Sequence, residues 1–322
     1  MKMTISRDLH QASSNKNNSE QLITKQFFPF YVRKIKHILH AIHGLHPKTA
    51  YRLLIKFLSI VINKKLSDNA IAFYKKGIKK KFYVDNTVFY SYTYGKGPLI
   101  LMLHGWCSNG ARWRVYVDEL VGRGYKVMVV DAPGHGTAPG RFLSVFLYAK
   151  GIKTILASEV KWHTVITHSI AGLTAIAAMG NSKKQCHPTK FIMMNTFATA
   201  TAILKKFSCC LGVSHSVIEG AKKLMFVYTD FPLHTFSISK HLKDISKDSL
   251  LIYDTKDPVV PKCEAEYIIK HVPFLNILKT EGLGHNLKSK RVVEQVVSFI
   301  ESNIHLSDTK KTAPMDLTEA QI

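Results

Sequence analysis

The sequence predicts an α/β domain with a doubly wound, mostly parallel sheet covered by helices on both faces. Short apolar runs recur along the middle of the chain, at residues 99–103, 127–130, 165–166, 191–194, 250–253 and 274–278; each reads as a strand buried on both faces. Segments of helical character alternate with them, which is the connection that parallel strands require. Hydrophobic residues make up 46% of the 322 positions, enough for one large core and too many for a disordered chain.

Residues 1–26 are polar and rich in Ser, Asn, Lys and Gln, so this stretch is expected to be disordered. Residues 27–81 read as a basic helical extension, in which Pro47 opens a helix carrying Ala50, Leu53, Leu54, Phe57, Leu58 and Val61 at helical spacing. A hairpin follows, with Phe82 to Val84 and Thr87 to Tyr94 joined at Asp85-Asn86. The α/β core is expected over residues 82–303. The stretch 197–247 exceeds an ordinary crossover and reads as an inserted helical cap, with Phe197, Phe207 and Leu211 lining an apolar substrate pocket. Residues 304–322 are expected to form a flexible tail.

A formal charge of +23 invites a nucleic-acid reading, but no helix-turn-helix, zinc finger or aromatic-basic motif accompanies it, so no nucleic acid is expected. The basic residues concentrate before residue 97. Segment 31–62 is amphipathic, and the expectation is that it packs on the core; the alternative is peripheral contact with an anionic membrane. The apolar run Leu53 to Ile62 is too short to span a bilayer and contains Lys56. Five cysteines without a C-x-x-C fit a reducing compartment. With no apolar signal region near the N-terminus, the expected location is cytoplasmic, the alternative being the inner face of a membrane. His37, His40, His43 and His46 recur every third residue, but that spacing drifts around a helix and Gly44 and Pro47 interrupt it, so no metal is expected. No cofactor motif is present.

The chemistry concentrates in five loops. Val165-Ile166-Thr167-His168-Ser169-Ile170-Ala171-Gly172 is an apolar strand, a serine and the start of a helical run, the context of a nucleophile on a strained strand-to-helix turn. Thr167 and Ala171 stand where two glycines are usual, and a β-branched residue at the tight bend is a departure; the plainer alternative is that Ser169 caps the helix. His168 is read as packing. Leu103-His104-Gly105-Trp106 ends another strand, where the Trp106 N–H, paired with that of Ile170, can stabilise an oxyanion. Cys107, next in the chain, is read as a small buried residue, and Asp131-Ala132-Pro133-Gly134-His135-Gly136 as a turn without chemistry.

Downstream, Asp254-Thr255-Lys256-Asp257-Pro258 places two acids after a strand. Asp257 is preferred over Asp254, taken as a turn former, and over Asp244, as the group that orients a base. Gly282-Leu283-Gly284-His285-Asn286 suits a loop carrying an imidazole over the sheet.

The set HGW, DAPGHG, THSIAG, DTKDPVVP and GLGHN, in that order across residues 82–303, resembles the α/β-hydrolase superfamily in its serine esterase and lipase-like branch. That resemblance implies an eight-stranded sheet, a cap after the sixth strand, and a serine hydrolase that cleaves an acyl ester or thioester through an acyl-enzyme. Ser169, His285 and Asp257 map onto its triad and Trp106 and Ile170 onto its oxyanion hole. Relatives with an aspartate nucleophile are set aside by Ser169, and the single residue after His104-Gly105 resembles enzymes of short or medium acyl groups. Two alternatives stay open: a non-catalytic binding protein of the same fold, and an acyltransferase or carbon–carbon hydrolase on the same triad.

Overall fold

A computed structural model describes residues 32–63, 65–183, 186–227, 231, 233–246, 248–302 and 315–317. The chain divides into two compact units, one of residues 1–55 and 201–228 and the other of residues 56–200 and 229–322.

The smaller unit contains helices α1 (Val32–Leu45) and α2 (Pro47–Leu58, up to residue 55), most of α7 (Ala200–Leu211) and α8 (His215–Val227). Pro47 opens α2, as its fixed φ favours. Tyr51 of α2 lies so close to Gly220 of α8 that a methyl group there would meet the ring at 2.0 Å. The Ser214 N–H donates to His40 Nε2 at 3.1 Å, and the His43 and Tyr51 rings lie 5.6 Å apart. The basic N-terminal helices therefore pack against the inserted helices. Among the described residues no helix is long and apolar enough to cross a membrane.

The larger unit begins with α3 (Asp68–Lys76), followed by β1 (Ile78–Val84), β2 (Thr87–Tyr94), β3 (Leu99–Leu103), a 3₁₀ turn (Gly110–Trp113), α4 (Arg114–Gly122), β4 (Lys126–Asp131), α5 (Val145–Leu156), β5 (Thr164–His168), α6 (Ile170–Gly180) and β6 (Lys190–Met194). After the insertion come α9 (Ile238–Ile245), β7 (Asp248–Asp254), α10 (Lys262–His271), β8 (Asn276–Thr280), α11 (Lys290–Glu301) and β9 (Met315–Leu317). The sheet order is β1-β2-β4-β3-β5-β6-β7-β8-β9. The pairs β1–β2 and β2–β4 are antiparallel and the rest parallel. Every residue of β3, β5 and β6 is buried, which is why their apolar residues stand side by side without alternation. Chain order reverses around β3, which lies between β4 and β5, and loops leaving the carboxyl ends of parallel strands at such a point form a natural crevice.

Four boundaries differ from the sequence reading. Helix α3 and the start of β1, expected in the extension, belong to the larger unit: Ala70, Phe73 and Tyr74 join its core, and the Tyr74 hydroxyl donates to Asp131 Oδ1 at 2.8 Å. Helix α9, expected in the cap, buries Ile238, Leu242 and Ile245 and packs on α6. The last strand of the core starts at Asn276, because residues 272–275 turn first through a Leu275 N–H to Val272 O bond. Residues 315–317, expected in a flexible tail, pair with β8 as a ninth strand, Leu278 opposite Met315, since an edge strand keeps backbone groups free to take another.

The Phe89 ring fills the space over Gly151 of α5, where a methyl group would meet ring atoms at 2.2 Å. Alanine normally stabilises a helix interior by about 1 kcal/mol over glycine. Gly151→Ala is nevertheless expected to destabilise by about 1–3 kcal/mol through overpacking, seen as a lower urea midpoint.

Candidate active site

Ser169 sits between β5 and α6 with φ 58° and ψ −126°, a strained conformation for a residue with a side chain. Its neighbours hold it there. The Ser169 N–H donates to Met194 O at 2.9 Å, and the Thr196 hydroxyl donates to Ser169 O at 3.0 Å. Gly172 leaves room for that hydroxyl, since a methyl group there would lie 2.5 Å from Thr196 Oγ1. Thr167 is accommodated because its hydroxyl turns onto β6 and donates to Ile192 O at 3.0 Å. The departure at this position is therefore absorbed by the neighbouring strand.

Strands β3 and β5 pair with Leu103 opposite Thr167, so the loop after β3 runs beside the serine turn. A methyl group on Gly105 would lie 2.9 Å from Ser169 Cβ, so glycine is needed for this close approach. Trp106 follows directly, and Ile170 opens α6, where first-turn N–H groups lack intrahelical acceptors. His104 donates from Nδ1 to Gly105 O at 2.7 Å and accepts the Ala132 N–H at Nε2. His135 donates from Nδ1 to Pro133 O and accepts the Cys107 N–H at Nε2, 3.1 Å away. Burial pushes the His104 pKa down to about 4 and that of His135 down to about 3, so both are neutral at pH 7. The loop read as a turn without chemistry thus anchors the loop carrying Trp106. Cys107 is half-buried with φ 53°, not the buried filler expected, because that N–H bond to His135 fixes its backbone.

At the end of β7 the two acids divide their work. Asp254 accepts the Thr280 hydroxyl and the Gly282, Leu283 and Lys256 N–H groups, joining its own loop to the one after β8. Asp257 Oδ1 accepts the Val259 and Val260 N–H groups, leaving Oδ2 for His285 Nδ1 at 2.8 Å. Asp257 and His285 are both buried. Asp244, the other acid considered, is exposed.

The His285 backbone is clamped as well. Asn195, at φ 45°, donates from Nδ2 to Gly284 O and His285 O. His168 Nε2 donates to His285 O at 2.7 Å, its ring 4.7 Å from the His285 ring. The His168 Nδ1 accepts from Arg112, which also donates to Asn286 O at 3.3 Å. Burial and the adjacent guanidinium hold His168 neutral, and burial lowers Arg112 to about 10, which leaves it charged at pH 7. His168 is thus a positioning residue and not mere packing. Asn195 and Arg112 escaped the sequence reading because neither lies in a motif; only position after β6 and after the Gly105 loop marks them.

Of the residues expected to line an apolar pocket, Phe197 and Leu211 are buried, and the side chain of Phe207 lies outside the described residues. Phe197 follows Thr196, the partner of the Ser169 carbonyl. Among the described residues no group of His, Cys, Asp and Glu is arranged to hold a metal.

Residues 100–204 match the sequence model of the alpha/beta hydrolase family. A pimeloyl-[acyl-carrier protein] methyl ester esterase of Aeromonas hydrophila is 48% identical over 46 residues, 14% of this chain and 18% of that protein. The chain thus spans under a fifth of the length of that curated relative. Among solved structures, an esterase from Exiguobacterium antarcticum superposes with TM-score 0.50 at 20% identity, over 68% of this chain and 97% of its own. The thioesterase domain from the curacin biosynthetic pathway superposes with TM-score 0.51 at 14% identity, over 70% of this chain and 99% of its own. The fold is that of the α/β hydrolases.

The neutral histidines have a pH consequence. From about pH 6.5 down to about 4 the unfolded chain binds protons that His104, His135 and His168 refuse when folded, so stability is full above that window and is lost as pH falls through it. Asp131 and Glu264, their pKa values raised by burial, act in the opposite sense but are two groups against five histidines, since His163 and His241 are lowered as well. The urea midpoint is expected to fall between pH 7 and about pH 4.5; a flat profile contradicts the neutral network.

Proposed function

We propose that this protein is a serine hydrolase that cleaves a small carboxylic ester or thioester, with Ser169 as nucleophile, His285 as general base and Asp257 as the group that orients it. The observation that carries the reading is the 2.8 Å bond from His285 Nδ1 to an Asp257 oxygen, on a loop clamped over the serine turn. An imidazole that donates from Nδ1 presents Nε2 as the base.

His285 takes the proton of Ser169 Oγ, and the oxygen attacks the acyl carbonyl. The Trp106 and Ile170 N–H groups receive the negative charge of the tetrahedral intermediate. His285 then passes its proton to the leaving oxygen or sulfur, and water attacks the acyl-enzyme by the same route in reverse. Asp257 keeps the tautomer and stabilises the imidazolium. The relatives named as esterases and a thioesterase support this choice of substrate class.

A fluorophosphonate probe is expected to add one adduct to the wild type and none to Ser169→Ala, read by intact mass. Absence of labelling in folded wild-type protein removes the serine from the mechanism. Asp257→Asn is expected to lower kcat by about 10⁴ while leaving the fold intact, because the imidazole loses its tautomer. Asp254→Asn is expected instead to lower stability, by the loss of charge-assisted bonds of about 1.5–3 kcal/mol each, which thermal unfolding measures.

A further inference from the structure

Beside the catalytic loops, within the larger unit, lies a cleft of about 690 Å³. Its walls carry Lys65, Arg112, Arg114, Lys288 and Lys290, and no aspartate or glutamate. Lys290 pairs with Glu294 on its own helix, whereas Lys65, Arg114 and Lys288 form no ion pair among the described residues. Like charges gathered around one concavity repel one another, and a low-dielectric wall sharpens their field, so the arrangement favours an anion between them.

The backbone adds to this field. Ser67 and Ser289, the N-caps of α3 and α11, both line the cleft, and Ser289 makes no capping bond from its side chain. The start of α11, with no side-chain cap and no acid in its first turn, thus adds its positive dipole end to this space, whereas at α3 Ser67 accepts the Ala70 N–H and Asp68 stands in the first turn. Tyr116 also lines the wall, and its buried hydroxyl has no hydrogen-bond partner among the described residues.

Position relates this cleft to the chemistry. Cys107, next to the oxyanion donor Trp106, and Asn286, next to His285, are both in the lining. Arg112 reaches from the wall to His168 and to the Asn286 carbonyl. The base must protonate the leaving atom, so the leaving group lies beside His285, and the residues that follow it in the chain, 286–290, line the cleft. Resting on the hydrolase reading above, we infer that this cleft is an anion subsite that takes a phosphate ester carried on the leaving-group side of the substrate. Guanidinium and ammonium groups around a phosphate form charge-assisted bonds that a neutral leaving group cannot make.

The test separates this inference from the hydrolase reading. Inorganic pyrophosphate and coenzyme A are titrated by calorimetry into Ser169→Ala, where no turnover occurs. Both are expected to bind, and the exposed pair Lys65→Glu/Lys288→Glu, made in that background, is expected to weaken binding about tenfold or more. The corresponding pair of alanines gives the same direction without charge reversal. Lys240→Glu/Lys270→Glu, outside the cleft, is the charge-matched control.

In the wild type, an acyl-coenzyme A is compared with the N-acetylcysteamine thioester of the same acyl group, and a lysophosphatidylglycerol with the matching monoacylglycerol. The phosphorylated member of at least one pair is expected to show the higher kcat/KM, through a lower KM, and the cleft pair of substitutions to erase that preference. Which pair responds tells a soluble thiol carrier from a lipid headgroup. Failure of pyrophosphate and coenzyme A to bind, or equal weakening by the control, overturns the subsite even if neutral esters are hydrolysed. Binding that is lost in the cleft variant without hydrolysis of any ester upholds the subsite and removes the hydrolase reading on which its role was based.

Discussion

The turn at Ser169 is the constraint around which the larger unit is arranged. A side chain at positive φ costs about 1–3 kcal/mol and persists only where its surroundings fix it. Here the fixing groups come from three strands: the Met194 carbonyl and Thr196 hydroxyl beyond β6, Thr167 at the end of β5, and Gly105 beyond β3. Each depends on the parallel register. A slip of one residue between β3 and β5 moves Gly105 away from the serine, and between β5 and β6 it removes the carbonyl that receives the Ser169 N–H. The buried parallel strands are thus what hold the turn in its conformation.

Around that turn the loops are joined by neutral polar groups. His104, His135 and His168 each donate from one ring nitrogen and accept at the other, so each fixes two partners in a defined direction. A charged imidazole has two donors and no acceptor, and would break one bond of each pair. Burial enforces the neutral form, since transfer of an ion from water costs more than the bond gains. Arg112 brings a charge into the set, its guanidinium lying 4.9 Å over the Trp113 ring.

Much of this was legible in the sequence because it follows from local pattern. Strand runs, the serine between a strand and a helix, and two glycines before His285 are short-range signals. The choice of Asp257 over Asp254 rested on order and on the need for an orienting acid, and the geometry shows what distinguishes them: Asp254 spends both oxygens on loop N–H and hydroxyl groups, while Asp257 keeps one for the imidazole. What escaped depends on distant partners. His168 reads as packing until a loop 117 positions away brings the His285 carbonyl to it. Asn195 and Arg112 carry no motif, and the pairing of Tyr51 with Gly220 joins segments that no periodicity connects. Edge pairing by residues 315–317 is likewise invisible in so short a run.

Charge shows the same division between composition and placement. A net charge of +23 says little about function until the side chains are placed in the fold. Lys65, the pair Arg112 and Arg114, and the pair Lys288 and Lys290 come from three segments remote in sequence, yet the fold brings those segments to one cleft. Because screening at physiological ionic strength acts over about 8 Å, the basic residues elsewhere on the surface contribute weakly to that cleft. The local set governs the field there. Arg112 has a second task, since its bonds to His168 and Asn286 make the wall of the cleft part of the support of the base loop.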